Sequence, residues 1–176
     1  DDGEAVASNP VTISNSVPSL ALVTISPDAP VVGEALTCTA TGYADADGDA
    51  DASTYAWTVN GSPEGSNSTL SLDGFSRGNT VQVTVTPGDG QDYGTAVSSS
   101  QITIANSPPT LIDVVLTPNT AASDGVITAT VNGATDPDAG DSVSIQYNWY
   151  EHTPSYIGPG GDTLDATHFS PGDGIT

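Results

Sequence analysis

Hydrophobic and polar residues alternate in short runs along this chain, and turn-forming residues separate the runs. The clearest is Thr80–Thr86, where Val81, Val83 and Val85 point one way and Thr80, Gln82, Thr84 and Thr86 the other. That period of two belongs to a strand with one buried face. Similar runs predict strands at 20–26, 35–43, 54–60, 68–72 and 95–105, bounded by Gly, Pro, Asp and Asn clusters. Short strands at this spacing indicate a β-sandwich, and helix is expected to be almost absent.

The runs recur. Asn15-Ser16-Val17-Pro18 returns as Asn106-Ser107-Pro108-Pro109, an offset of 91 residues. The same offset relates Leu20–Pro27 (LALVTISP) to Leu111–Pro118 (LIDVVLTP), and Leu36–Gly42 (LTCTATG) to Ile127–Gly133 (ITATVNG). It rises to 92 at Trp57 and Trp149, and to 94 at Phe75 and Phe169, where GFSRGN answers to HFSPGD. Self-similarity of this kind is the signature of repeated units. Backwards, the 91-residue offset relates Gly3–Val6 and Val11–Ile13 to Gly94–Val97 and Ile102–Ile104. Residues 1–14 therefore read as the last strand of a preceding or neighbouring-subunit repeat, 15–105 as a complete repeat, and 106–176 as a repeat lacking its final strand or strands. Two explanations fit this phase: a slice from a long tandem array, or a subunit whose first strand completes the last domain of an identical neighbour by strand addition. In either case residues 106–176 are expected to be unstable alone, because an unfinished sandwich exposes a strand edge and part of its core.

Composition adds a charge argument. The 176 residues carry 22 acidic side chains against one basic one, Arg77, for a net charge of -21. Nucleic acid and anionic lipid are excluded as direct partners, since binding them relies on Lys and Arg. Such a charge opposes compaction unless cations screen it, which points to a cation-rich exterior. No apolar run approaches the length of a membrane span, and the chain opens on Asp1 and Asp2, so the sequence reads as a mature or internal segment with no membrane insertion. Cys38 is the single cysteine, which leaves no intrachain disulfide; aligned with Ala129, it reads as a small buried apolar residue, the alternative being an interchain disulfide.

The acidic residues are mostly Asp, the short carboxylate of turns and calcium loops. Asp45, Asp47, Asp49 and Asp51 alternate with small residues, and Gly48 gives the backbone freedom to wrap an ion. Asp136, Asp138 and Asp141 repeat the arrangement one residue longer, with Gly140. Oxygen ligands at i, i+2 and i+4 suit a hard cation, so these seven residues are the candidate metal ligands and calcium the expected cofactor. A solvated cluster of Asx turns is the competing reading. Asp89, Asp92, Asn15 and Asn106 are candidates for further oxygen ligands.

Trp57 lies 19 residues after Cys38, close to the cysteine-to-tryptophan spacing of immunoglobulin domains, with Val83 or Val85 in place of the second cysteine. Together, NSPPT, TISPDAP, DADGDAD, YAWTVNG, TLSLDGF and TVQVTVTPGDGQDYG resemble the tandem Ig-like repeats of large bacterial surface proteins, relatives of the polycystic-kidney-disease (PKD) and cadherin-like modules. The resemblance implies an all-β fold of tandem immunoglobulin-like Greek-key β-sandwiches. It further implies an extracellular or cell-surface stalk, filament or adhesin, with calcium at the acidic loops. The chain departs from cadherins in lacking their full linker ligand set.

An enzyme is not expected. The two histidines, His152 and His168, read as surface-loop residues, and no GxSxG, HExxH, phosphate loop or CxxC occurs. A structural repeat is the first expectation. The alternative is an adhesin or binding module that recognises a glycan or protein through loops such as Gly61–Ser68 or Glu151–Gly161, where Tyr147, Tyr150, Tyr156 and His152 gather. Asn60-Gly61-Ser62 and Asn67-Ser68-Thr69 match the N-glycosylation sequon.

Overall fold

A computed structural model describes residues 3–122, 124–151 and 156–176. The described residues are all-β, and none forms a helix long and apolar enough to cross a membrane. His152 lies outside them. The chain divides into two compact units, Asp1–Ala105 and Asn106–Thr176.

The first unit is built from two antiparallel sheets. Strands β1 (Leu22–Ser26), β2 (Ala35–Thr41) and β5 (Thr69–Ser71) form one, in the order β1-β2-β5. The other has the order β4-β3-β6-β7, where β3 is Thr54–Val59, β4 is Ser62–Gly65, β6 is Thr80–Thr86 and β7 is Val97–Ser98; β8 (Ile102–Thr103) also pairs with β6. Both sheets feed one core. Val23, Leu36, Cys38 and Leu70 come from the first, Trp57, Val59, Val81, Val83 and Val85 from the second. The three valines of β6 are fully buried, as their alternation requires. Trp57 sits among them, its indole Nε1 donating to the carbonyl of Asn67 at 2.8 Å.

Two stretches differ from the sequence-based expectation. The segment expected as a loop at Gly61–Ser68 begins with β4, because Asn60 (φ 51°) and Gly61 (φ 81°) both adopt the left-handed conformation of a tight hairpin turn. The run expected as one strand at 95–105 is two short pieces. Between them Ser99 is buried and takes over the pairing: its N–H donates to the carbonyl of Val83, and its hydroxyl accepts the Val83 N–H. A side chain that substitutes for a backbone partner interrupts the ladder without leaving a polar group unpaired.

Gly94 marks a close approach between the first and last segments of this unit. A Cβ there would lie 1.8 Å from the carbonyl oxygen of Pro18, a backbone atom that cannot swing away. Gly94→Ala is expected to cost about 2 kcal/mol, as overpacking does. A denaturant midpoint equal to the parent's would contradict the approach.

The second unit contains β9 (Asp113–Thr117), β10 (Val126–Asn132), β11 (Tyr147–Tyr150), β12 (Tyr156–Gly160) and β13 (Thr163–Asp165). One sheet has the order β13-β10-β9, and β11 pairs with β12. Equivalent pairings occur in both units at the sequence offsets: Ser26 faces Thr37 and Thr117 faces Thr128, and the isolated bridges Ser19–Ala44 and Thr110–Thr135 match likewise. Trp149 repeats the arrangement of Trp57, its Nε1 donating to Gly161 at 3.2 Å. Tyr150 exchanges two backbone bonds with Thr176, where the first unit pairs Thr58 with Gln82. The core is smaller: among the described residues, Ile127, Ala129, Trp149 and Leu164 are its buried members.

Candidate metal centres

Each acidic loop follows a strand that carries its unit's core, β2 in the first unit and β10 in the second. Asp side chains in such turns accept hydrogen bonds from backbone N–H groups two or more residues ahead. Asp45 does this through Oδ1, which accepts from the N–H of Asp47 (2.8 Å) and Asp49 (3.2 Å). Asp136 Oδ1 likewise accepts from the N–H of Asp138 at 2.8 Å. These bonds curl each loop inward. Gly48 (φ +82°) and Gly140 (φ +95°) supply the left-handed position that the curl needs.

The middle carboxylate of each loop is fixed from outside the loop. Asp47 Oδ2 accepts the N–H of Ser16 at 2.7 Å, and Asp138 Oδ2 accepts the N–H of Ser107 at 2.6 Å. Neither serine was singled out in the sequence as a partner of the acidic loops. The signal was present in the recurring Asn-Ser pair, whose backbone rather than side chain does the work.

The outcome is two groups of carboxylates. Oxygens of Asp45, Asp47 and Asp49 lie within 4.8 Å of one another, and so do oxygens of Asp136, Asp138 and Asp141. Calcium holds its oxygens at about 2.3–2.6 Å, so oxygens on opposite sides of one ion sit about 5 Å apart and the observed separation fits. Asp51 is not in the first group; its Oδ1 accepts from the N–H and hydroxyl of Ser53.

Orphaned oxygens mark both groups. Asp45 Oδ2 and Asp138 Oδ1 are sealed from solvent and have no hydrogen-bond partner. Asp138 as a whole is only 2% exposed. Burying a carboxylate with an unsatisfied oxygen is costly unless a cation compensates it. Ser107 Oγ is a further buried polar atom without a partner in the second unit.

The other candidate ligands are engaged elsewhere. Asn15 Nδ2 donates to Asp89 Oδ2 (2.9 Å) and Asp92 Oδ2 (3.1 Å), and Asn106 Nδ2 donates to the Ser107 carbonyl. Asp89 is held below the usual carboxylate range, by the backbone N–H of Asp92 first, then by the Asn15 amide and the N–H of Gln91. Tyr43 braces the first loop, its hydroxyl donating to the carbonyl of Gly88 at 3.1 Å. Burial, followed by the charges of Asp45, Asp51, Asp89 and Asp49, pushes that phenol upward, so the tyrosine stays a neutral donor.

The aromatic residues expected near the β11–β12 loop are partly in place. Tyr150 and Tyr156 pack with ring centroids 5.4 Å apart and remain exposed. His168 is half-exposed and contacts Asp165 at 3.1 Å. No protein-family model matches the chain, and no curated protein matches it either.

Proposed function

We propose that this chain is a structural segment of an extracellular stalk or fibre, built from tandem immunoglobulin-like domains and stiffened by calcium at Asp45, Asp47 and Asp49 and at Asp136, Asp138 and Asp141. The observation that carries this reading is the recurrence, at one position of both units, of a group of three carboxylates that includes a buried, unpartnered oxygen, on the first member (Asp45) in one unit and on the middle member (Asp138) in the other. Recurrence with the sequence repeat favours architecture over a single catalytic centre, and the reading assigns the chain no enzymatic activity. The strand orders β1-β2-β5 and β4-β3-β6-β7 around one core support the immunoglobulin-like assignment. A net charge of -21 suits a medium rich in divalent cations.

Extracellular calcium modules bind at about 0.1–1 mM, so a tenfold excess of calcium adds on the order of 1.4 kcal/mol per site. Thermal unfolding at fixed ionic strength should therefore shift upward from chelator to calcium. Magnesium should do less, because it demands a tighter octahedral shell and gives up its waters reluctantly. Equal melting in chelator and in calcium would overturn the metal assignment.

A second reading has one observation behind it: Tyr150 and Tyr156 present exposed rings beside each other. Such a pair can stack on a sugar. Chemical-shift changes confined to β11 and β12 on addition of oligosaccharides would favour that adhesin reading.

A further inference from the structure

Within the second unit, the segment 107–110 is tied twice to the acidic loop and its first flank. The N–H of Ser107 donates to Asp138 Oδ2 at 2.6 Å, and Thr110 exchanges two backbone bonds with Thr135, each 2.8 Å. Between these ties stand Pro108 and Pro109, whose rings fix their own φ and hold the residue before them in the extended region. Asn106 adds a third restraint, its Nδ2 donating to the Ser107 carbonyl at 2.8 Å. The backbone that carries the Ser107 side chain is therefore fixed by the fold itself.

These bonds use the N–H and the carbonyl of Ser107 and leave its hydroxyl. That Oγ is sealed from solvent without a hydrogen-bond partner, in a residue 2% exposed. Asp138 Oδ1 is in the same condition. Two unpartnered buried oxygens thus belong to two residues that are bonded to each other. Covalent geometry keeps each near that bond: a serine Oγ lies about 3–4 Å from its own nitrogen, and one carboxylate oxygen about 2 Å from the other. Oxygens that share one calcium are up to about 5 Å apart, a span that suits this pair. Burying a hydroxyl and a carboxylate oxygen unbonded costs free energy at each, and one cation offsets both costs because both atoms present lone pairs to it.

We infer that the Ser107 hydroxyl is a fourth protein ligand of the calcium site formed by Asp136, Asp138 and Asp141. The carboxylates supply charge and the hydroxyl a neutral oxygen, and all are hard donors of the kind calcium takes. A neutral fourth oxygen fills more of the ion's shell without adding to the repulsion among three carboxylates. The consequence is a link between the ion and the path of the chain. Calcium bound there holds the segment 107–110 to the acidic loop through a side chain as well as through the backbone. The inference rests on the calcium reading and deepens it by naming a ligand outside the acidic loop.

The test follows backbone amide shifts of the full chain through a calcium titration, because residues 45–49 and 136–141 report the two carboxylate groups separately. Ser107→Ala should weaken calcium about tenfold at 136–141, the effect of losing one neutral ligand, and leave 45–49 unchanged. In chelator the same variant should melt at or above the parent, since it removes a buried hydroxyl that has no partner. Ser107→Cys puts a sulfur that favours soft ions in place of the hydroxyl, so the ratio of cadmium to calcium affinity at 136–141 should rise at least about tenfold over the parent's. The parent is the control for Cys38, which lies in the first unit's core in both chains. Parent-like calcium affinity in Ser107→Ala, an equal loss of its stability in chelator and in calcium, or an unchanged metal ratio in Ser107→Cys overturns the inference and leaves the calcium reading standing. A parent without calcium-dependent shifts at 136–141 overturns both.

Discussion

Trp57→Ala is expected to remove about 3–5 kcal/mol from the stability of the first unit, the range for truncating a buried Trp. The side chain is 0% exposed, the largest of those fully buried, and it lies between the two sheets with Leu36, Val81, Val83 and Val85. It belongs to both local and long-range structure, since Trp57 pairs with Val83 on one side and Gly65 on the other. Truncation leaves a cavity that neighbouring β-branched side chains, stiff about χ1, fill poorly. It also strips the Asn67 carbonyl of its indole donor. Trp57→Phe keeps most of the volume and loses the hydrogen bond, so it should cost closer to 1 kcal/mol. Domains of this size have about 5–15 kcal/mol in hand, so the alanine variant stands near the folding threshold. Amide exchange of β3 and β6 measures the loss directly. A loss under about 1 kcal/mol would mean that the indole is not the plug of this core.

Much of this fold could be read along the chain because period-two alternation and burial report the same thing. In β6 each inward position is a valine and each outward one is Thr or Gln, so the strand announces its own faces. Where that agreement fails, the reading fails too. The strand β4 (SPEG) has no buried position and no alternation. Its signal was the Asn60-Gly61 turn that folds it back on β3, a local backbone preference instead of a hydrophobic pattern. The split at Ser99 was hidden because a serine hydroxyl that replaces a ladder bond looks, in sequence, like any other strand serine.

The acidic loops divide in the same way. Alternate spacing is local information, and it was enough to single out Asp45, Asp47, Asp49, Asp136, Asp138 and Asp141. Spacing alone, however, counts Asp51 with its neighbours, whereas a serine two residues on captures it. Burial is long-range information. Nothing in DPDAGD says that Asp138 will be sealed by a chain segment 31 residues earlier, through the N–H of Ser107. Nor does any local pattern tell that the Val-Thr-Ile triplet at 11–13 is exposed while its counterpart Ile-Thr-Ile at 102–104 closes a core; only the offset relates them.

Asp138→Asn should change sign with the metal. In chelator the parent carboxylate holds one oxygen on the Ser107 N–H and leaves the other buried without a partner, next to Asp136 and Asp141. Asparagine keeps an acceptor for Ser107 and removes a charge from that crowded place, so the variant should melt at or above the parent. In calcium the order should reverse. The loss of one charged ligand from a three-carboxylate site is expected to weaken binding on the order of 100-fold, equivalent to about 2.7 kcal/mol at saturating ion. Asp51→Asn is the control, since Asp51 lies outside the group and its variant should keep the parent's calcium shift. Calorimetric titration of the two variants, with melting in chelator and in calcium, gives all four comparisons. If Asp138→Asn were destabilised equally in both conditions, the buried carboxylate would be a structural hydrogen-bond acceptor and not a ligand. If it were more stable in both, calcium would not be the compensating charge. The crossing of the two melting orders is therefore the result that ties this buried oxygen to an ion.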